Sequence, residues 1–255
     1  DTHLEFNRYP RQGLLEKESE EDVNILLLAG DIGHPNKPEY RTFLVTMKKY
    51  YDHVIWVAGN HEYYGSRKNG QRFNVDEVDD NLHRLAKETN CIFLQRESYT
   101  LTINKTRLTF LGTTLWSYLD PSDYTQVRKS LNDFTMIRAQ NKPLTPQLYT
   151  EWHQRDLEWL KEEISKRSQE KIIVITHHLP TYQLIHPSYQ NHPLNMCFAS
   201  HLDELIGPPL LLWVCGHSHK GKEIQLGSSY LALNPVGYPG ENKRIEPKLV
   251  MSLSA

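Results

Sequence analysis

The chain has 255 residues, 38% hydrophobic and 24% charged, enough to bury a sizeable core as one large α/β domain or two small ones. A formal net charge of −2 excludes a global basic field that would advertise nucleic acid or an anionic membrane, though not a local basic patch. No apolar run approaches the roughly 18 residues of a membrane span, so no membrane partner is expected, and three scattered cysteines without C-x-x-C fit a reducing, cytoplasmic setting.

The first stretch, "DTHLEF" (1–6), sets Asp1 and His3 two apart, a spacing that aims both side chains the same way in an extended chain. "NILLLAGD" (24–31) reads as a strand buried on both faces that runs into Asp31. In 39–51, Tyr40, Phe43, Leu44, Met47 and Tyr51 share one face of a helix. "HVIWVAGNHE" (53–62) is a second buried strand, ending in Asn60 and His61, and 75–89 is a second helix with Val75, Val78, Leu82, Leu85 and Ala86 on one face. "RLTFLGTTLW" (107–116) resembles the buried strands but ends in Thr and Trp. Residues 117–150, with Pro121, Pro143 and Pro146, read as an irregular surface excursion of the kind that borders active sites.

Leu157, Leu160 and Ile164 stripe a charged helix over 151–167. "KIIVITHH" (171–178) and "LLLWVCGHSH" (210–219) are two further buried strands, the second holding Cys215 as a buried thiol. Residues 222–234 form a hairpin turning near Gly227-Ser228, and "KLVMSLS" (248–254) is strand-like. Strands alternating with helices predict an α/β fold. With no repeat, low-complexity tract or linker, residues 1–255 read as a single domain.

In open α/β sheets, ligands bind beyond the carboxyl ends of the strands. Four apolar strands here end in Asp31, in Asn60 and His61, in His177, and in His217 and His219. Singly, these are an N-cap, a turn and loop histidines. Jointly, they place ligand-type side chains at one end of four neighbouring strands.

The ordered set "DTH" (1–3), "AGD" (29–31), "GNHE" (59–62), "THH" (176–178) and "GHSH" (216–219) resembles the calcineurin-like metallophosphoesterase superfamily. The resemblance implies a four-layer αββα sandwich of two mixed sheets flanked by helices. In that family D-x-H follows the first strand, so the domain is expected to lack most of that strand upstream of Asp1. It also implies a dinuclear centre, with Asp1, His3, Asp31 and His219 holding one divalent or trivalent ion. Asp31, Asn60, His177 and His217 hold the second, with Asp31 bridging. Nitrogen and oxygen ligands without thiolate suit Mn, Fe, Zn or Co, and such a pair generates a metal-bound hydroxide that attacks phosphorus. Asp31 is thus a catalytic as well as a metal residue, and His61 resembles the family's leaving-group histidine, with Glu62 orienting it or making a surface salt bridge.

"GDIGHP" lacks the arginine of the protein Ser/Thr phosphatases and has His34 where purple acid phosphatases have tyrosine. A less characterised branch of the superfamily is therefore expected. His34, Arg138 and His178 are the candidate substrate contacts, with Tyr63, Tyr64, Trp116 and Asn132 on the rim. The expected function is hydrolysis of small-molecule phosphomonoesters or phosphodiesters. A nuclease, against which the acidic balance counts, and a non-catalytic scaffold are the alternatives. A scaffold is expected to lose ligands or His61, and this chain keeps them all.

Overall fold

Apolar runs without polar alternation pair in parallel, because both of their faces are then covered. In the computed structural model, which describes residues 1–7, 12–16, 20–242 and 249–252, the first such run is β1 (Ile25–Ala29). Helix α1 (Pro38–Met47), β2 (His53–Val57), helix α2 (Val75–Thr89) and β3 (Ile92–Phe93) follow. The three strands form a parallel sheet in chain order. Next come β4 (Glu97–Ile103), β5 (Thr106–Thr113), α3 (Tyr124–Ser130), α4 (Asp133–Met136), β6 (Arg138–Ala139), β7 (Lys142–Pro143) and α5 (Pro146–Ser165). The chain continues through β8 (Lys171–Thr176), β9 (Leu210–Cys215), β10 (Lys222–Leu226) and β11 (Ser229–Leu233). A second, mixed sheet has the order β10-β11-β9-β8-β5-β4, while β6 and β7 form a separate ribbon.

Tyr40, Phe43, Leu44 and Met47 are the buried face of α1, and Tyr51 is buried just beyond its end. Helix α2 starts on a reciprocal capping box between Asn74 and Glu77 and ends at Asn90 in the left-handed region. Both helices pack with Val54 and Trp56 on the outer face of the small sheet. On β8, Ile173 and Ile175 turn inward to meet Ile55, Val57 and Phe110 between the sheets. Ile172 and Val174 turn outward with Trp213 and Leu160 of α5. The order of layers is therefore helix, sheet, sheet, helix, the αββα sandwich. The larger sheet is mixed, and the smaller is parallel throughout its described strands.

Residues 117–150 differ from the surface excursion expected of them. They hold α3, α4, the β6–β7 ribbon and the first turn of α5, and they bury Leu119, Val127, Phe134, Ile137 and Leu144 in the core that backs the small sheet. Those side chains have apolar surface to join, at about 1.5–3 kcal/mol each on full burial. Helix α5 starts early because Pro146 takes its first turn and the Thr145 side chain accepts from Leu148 N. The β10–β11 hairpin turns at Gly227-Ser228, with Leu226 opposite Ser229 and Gly227 at φ 59°. In the strand-like "KLVMSLS", residues 248, 253 and 254 lie outside the described residues, and 249–252 form no strand.

All three cysteines are buried and free. Among the described residues no helix is long and apolar enough to cross a membrane. One edge of β1 is unpaired among the described residues, and it lines a cavity of about 740 Å³ with Ile173, Leu212 and Ala232.

Candidate metal centre

The carboxyl ends of β1, β2, β8 and β9 meet at one place. Gly216 N donates to His177 O at 2.9 Å, tying the ends of β9 and β8. The first residues are laid beside the end of β1, with His3 N donating to Asp31 O and Leu4 N to Ile32 O, both at 2.9 Å. Asp1 O accepts from Val236 N at 3.1 Å and Gly237 N at 3.2 Å. A Cβ on Gly59 would lie 2.2 Å from Asp31 Oδ1 and 2.5 Å from Asp31 N, so only glycine lets β2 approach β1 here. His3, Asp31 and His217 have φ of 46°, 50° and 65°, a left-handed backbone that non-glycine residues adopt when surroundings over-determine it.

The nitrogens of the cluster have assignable roles. His177 Nδ1 lies 2.8 Å from Ala29 O, which can only accept, so the ring proton sits there and Nε2 carries a lone pair. Glu5 fixes His3 in the same way at 3.0 Å, and Glu241 fixes His219 at 2.7 Å. The lone pairs of His3 Nε2 and His219 Nε2 then face each other at 3.1 Å. Asp31 Oδ1 is taken by His61 N at 2.8 Å. Its Oδ2 is left 3.6 Å from His3 Nε2 and 3.5 Å from His177 Nε2. His177 Nε2 also faces Asn60 Oδ1 at 3.0 Å and His217 Nδ1 at 3.2 Å. Burial pushes the His177 imidazole down to about 4 and His217 well below its ordinary value, so neither ring supplies a second proton at neutral pH.

Asp1 Oδ2 and His217 Nε2 are buried without a hydrogen-bond partner. Convergent acceptors with their protons turned away are the electrostatic complement of a cation. Three groups could hold a metal, Asp1 with His3 and His219, Asp31 with His177 and His217, and His3 with Glu5 and His61, the ligand atoms of each lying within 4.8 Å of one another. Two carboxylates, four imidazoles and an amide oxygen fit a borderline divalent or trivalent ion.

Asn60 is aimed by its amide. Nδ2 donates to Tyr64 Oη and to Asp133 Oδ1, both at 2.9 Å, which turns Oδ1 to His177. Glu62 departs from both roles expected of it. It is fully buried and accepts from Asp31 N, Ile32 N and Gly59 N at 2.9, 2.8 and 2.7 Å, fastening the ends of β1 and β2 together. The residue that orients His61 is Glu5, whose Oε1 accepts from His61 Nδ1 at 2.9 Å and from His3 Nδ1 at 3.0 Å. Burial opposes ionisation of Glu5, but these two histidines hold its carboxyl down at about 2. Burial likewise opposes the His61 charge, and Asp31, Glu5 and Glu62 outweigh it, raising the imidazole to about 9. His61 Nε2 is left facing Tyr238 Oη at 3.2 Å.

Glu5, Asp133, Tyr238 and Glu241 were not singled out by sequence reasoning. Glu5 carried a readable signal, an acidic residue two positions after a candidate ligand histidine, whereas Asp133 opens a single-turn helix and Tyr238 and Glu241 sit in an irregular segment. Of the candidate substrate contacts, His34 is half-buried, and burial disfavours its charge more than the Glu5 carboxylate favours it. His178 is fully buried, bonded through Nε2 to Tyr149 Oη at 3.0 Å, its ring 4.2 Å from that of His217. It packs against His217 instead of reaching solvent. Arg138 Nη1 donates to the carbonyls of Thr135 and Ile137, at 2.8 and 3.1 Å, and among the described residues no hydrogen bond joins it to the cluster. Tyr63, Tyr64 and Trp116 are buried rather than on the rim, and Asn132 sits at the N-cap of α4.

A family model described as calcineurin-like phosphoesterase matches residues 1–221. An uncharacterised protein of Acanthamoeba polyphaga mimivirus is 28% identical over 243 residues, 91% of this chain and 84% of that protein. The crystal structure of phosphopantetheinyl hydrolase from Mycobacterium tuberculosis aligns with a TM-score of 0.71 and 18% identity, over 91% of this chain and 85% of that one. At that identity the likeness is one of fold.

Proposed function

This chain belongs to the calcineurin-like phosphoesterase family, and we propose that it hydrolyses phosphomonoesters or phosphodiesters of small molecules at a dinuclear metal centre. The observation that carries this reading is Asp31. One of its oxygens is occupied by a backbone amide, and the other lies between two imidazoles whose protons are turned away. A carboxylate so placed is a bridge between two ligand groups. Asp1, His3, Asp31 and His219 would hold one ion, and Asp31, Asn60, His177 and His217 the other. When bound, such ions polarise the phosphoryl oxygens and supply an activated water as nucleophile.

The chain's own residues do the rest. Asn60 and the imidazoles are neutral ligands, so the site does not accumulate charge that repels a phosphate. Glu5 holds the His61 Nδ1 proton, which leaves His61 Nε2 as the atom that carries a proton to the leaving oxygen. Beside Asp31 and Glu5 this imidazole is held above its ordinary value, which favours a proton on that nitrogen. Asp133 and Tyr64 keep Asn60 from rotating its amide nitrogen toward the ligand side.

The test is metal analysis of the purified protein, then stripping and adding back Mn, Fe, Zn and Co singly against a panel of mono- and diesters. At least one metal is expected to restore hydrolysis of a small ester. A protein that binds metal at this centre and hydrolyses none of them would support the scaffold reading instead.

A further inference from the structure

Phe6 and Tyr238 are aromatic, in contact and open to solvent. Their fractional exposures are 55% and 38%, and their rings meet edge to face with centroids 5.5 Å apart. The other aromatics around the cluster, Tyr63, Tyr64, Trp116 and Tyr149, are buried. This exposed pair borders the proposed chemistry directly. The Tyr238 ring lies 4.8 Å from that of His3 and 4.5 Å from that of His219, and the Phe6 ring lies 6.3 Å from that of His61.

Tyr238 is held in place. Asn7 Nδ2 donates to Gly237 O at 2.9 Å, and Tyr238 N donates to Glu241 Oε2 at 2.7 Å. The same Glu241 oxygen accepts from His219 Nδ1, so the tyrosine is anchored to a proposed ligand. Its hydroxyl lies 3.2 Å from His61 Nε2, the atom assigned above to meet the leaving oxygen. A phenol oxygen therefore already sits at the His61 atom assigned to the leaving oxygen, beside the Phe6–Tyr238 pair.

Resting on the phosphoesterase reading of this site, we propose that Phe6 and Tyr238 form its leaving-group subsite, selecting phosphate esters whose leaving alcohol carries a flat, apolar group next to the ester oxygen. Offset or edge-to-face aromatic contact favours such a group by about three- to tenfold over a small alkyl one. Inorganic phosphate, which has no leaving group, does not reach the subsite.

The test uses the metal-loaded full chain and two readouts. Binding of 2-naphthylmethylphosphonate and ethylphosphonate, neither of which can be hydrolysed, is measured by calorimetry beside kcat and KM for 2-naphthyl and ethyl phosphate. Wild type is expected to bind the naphthyl ligand at least threefold more tightly. Phe6→Ala and Tyr238→Ala each should abolish that preference, leaving inhibition by inorganic phosphate within twofold. Tyr238→Phe, which keeps the ring, should retain it. Hydrolysis with no naphthyl preference in phosphonate binding, or a binding preference that survives both alanine variants, overturns the subsite while the phosphoesterase reading stands. Selective binding lost in the alanine variants, without hydrolysis of either ester, supports the subsite and overturns the hydrolase reading.

Discussion

At the scale of single residues, two adjacent side chains divide binding from fastening. His61 reaches no proposed ligand position, since Glu5 takes its Nδ1 and its Nε2 faces Tyr238. His61→Ala is therefore expected to retain metal and lower kcat by roughly 10²–10⁴, the range for general acid–base assistance. The deficit should shrink for nitrophenyl esters, whose leaving groups need little protonation, and be largest for alkyl esters. A leaving-group series with metal content measured in parallel decides it, and loss of metal would make His61 a ligand. Glu62, its neighbour, is buried among backbone N–H donors on both oxygens. In Glu62→Gln either orientation of the amide sets an NH2 against such a donor. A loss of about 3 kcal/mol is expected, read as a lower denaturation midpoint, and an unchanged midpoint would show that the carboxylate does not fasten the strand ends.

At the scale of elements, strands carry the proposed ligands and turns aim them. Period-2 alternation on β8 sends Ile173 and Ile175 to one face and Ile172 and Val174 to the other, and the strand then delivers His177 at its end. The unpaired edge of β1 lies beside a cavity of about 740 Å³. A strand pairing there would satisfy backbone groups along that edge and cover the half-buried Ile25 and Leu27. Apolar residues fused ahead of Asp1 are expected to raise the melting temperature and tighten metal binding, because Asp1 and His3 would be held by a paired strand. Equal melting temperature and affinity with and without the extension would show that the cavity is not a strand site.

At the scale of the whole molecule, one carboxyl away from the centre sets a pH dependence. Burial raises Asp79, which accepts from Tyr63 Oη at 2.8 Å, from the ordinary carboxyl range to about 6. A folded-state value above the unfolded one means that its contribution is fully present below about pH 4. It is lost as pH rises through about 6, because the unfolded chain ionises first. Asp79→Asn keeps an acceptor for Tyr63 and removes this titration. Urea midpoints at pH 4, 5, 6 and 7.5 should show wild type falling relative to the variant by about 3 kcal/mol across that window, and parallel profiles would refute the shift.

Much of this protein was legible in the sequence, because apolar periodicity is a local property. The buried strands, the faces of α1 and α2, the Gly227-Ser228 turn and the ordered D-x-H to G-H-x-H motifs follow from neighbours in the chain. The motifs also brought forward the residues that converge, from Asp1 to His219. Which partners aim them was decided only by the tertiary structure. Asn60 is oriented by Asp133 from a segment 73 residues away, and His219 by Glu241. Glu62 is turned from the surface into a nest of amides that exists only when β1 and β2 lie side by side. Arg138 and His178 bear the right chemistry but are spent on carbonyls and on Tyr149. A side chain's type is written in the chain, whereas the donors and acceptors that claim it are assembled by folding, and that decides whether it faces a ligand or the core.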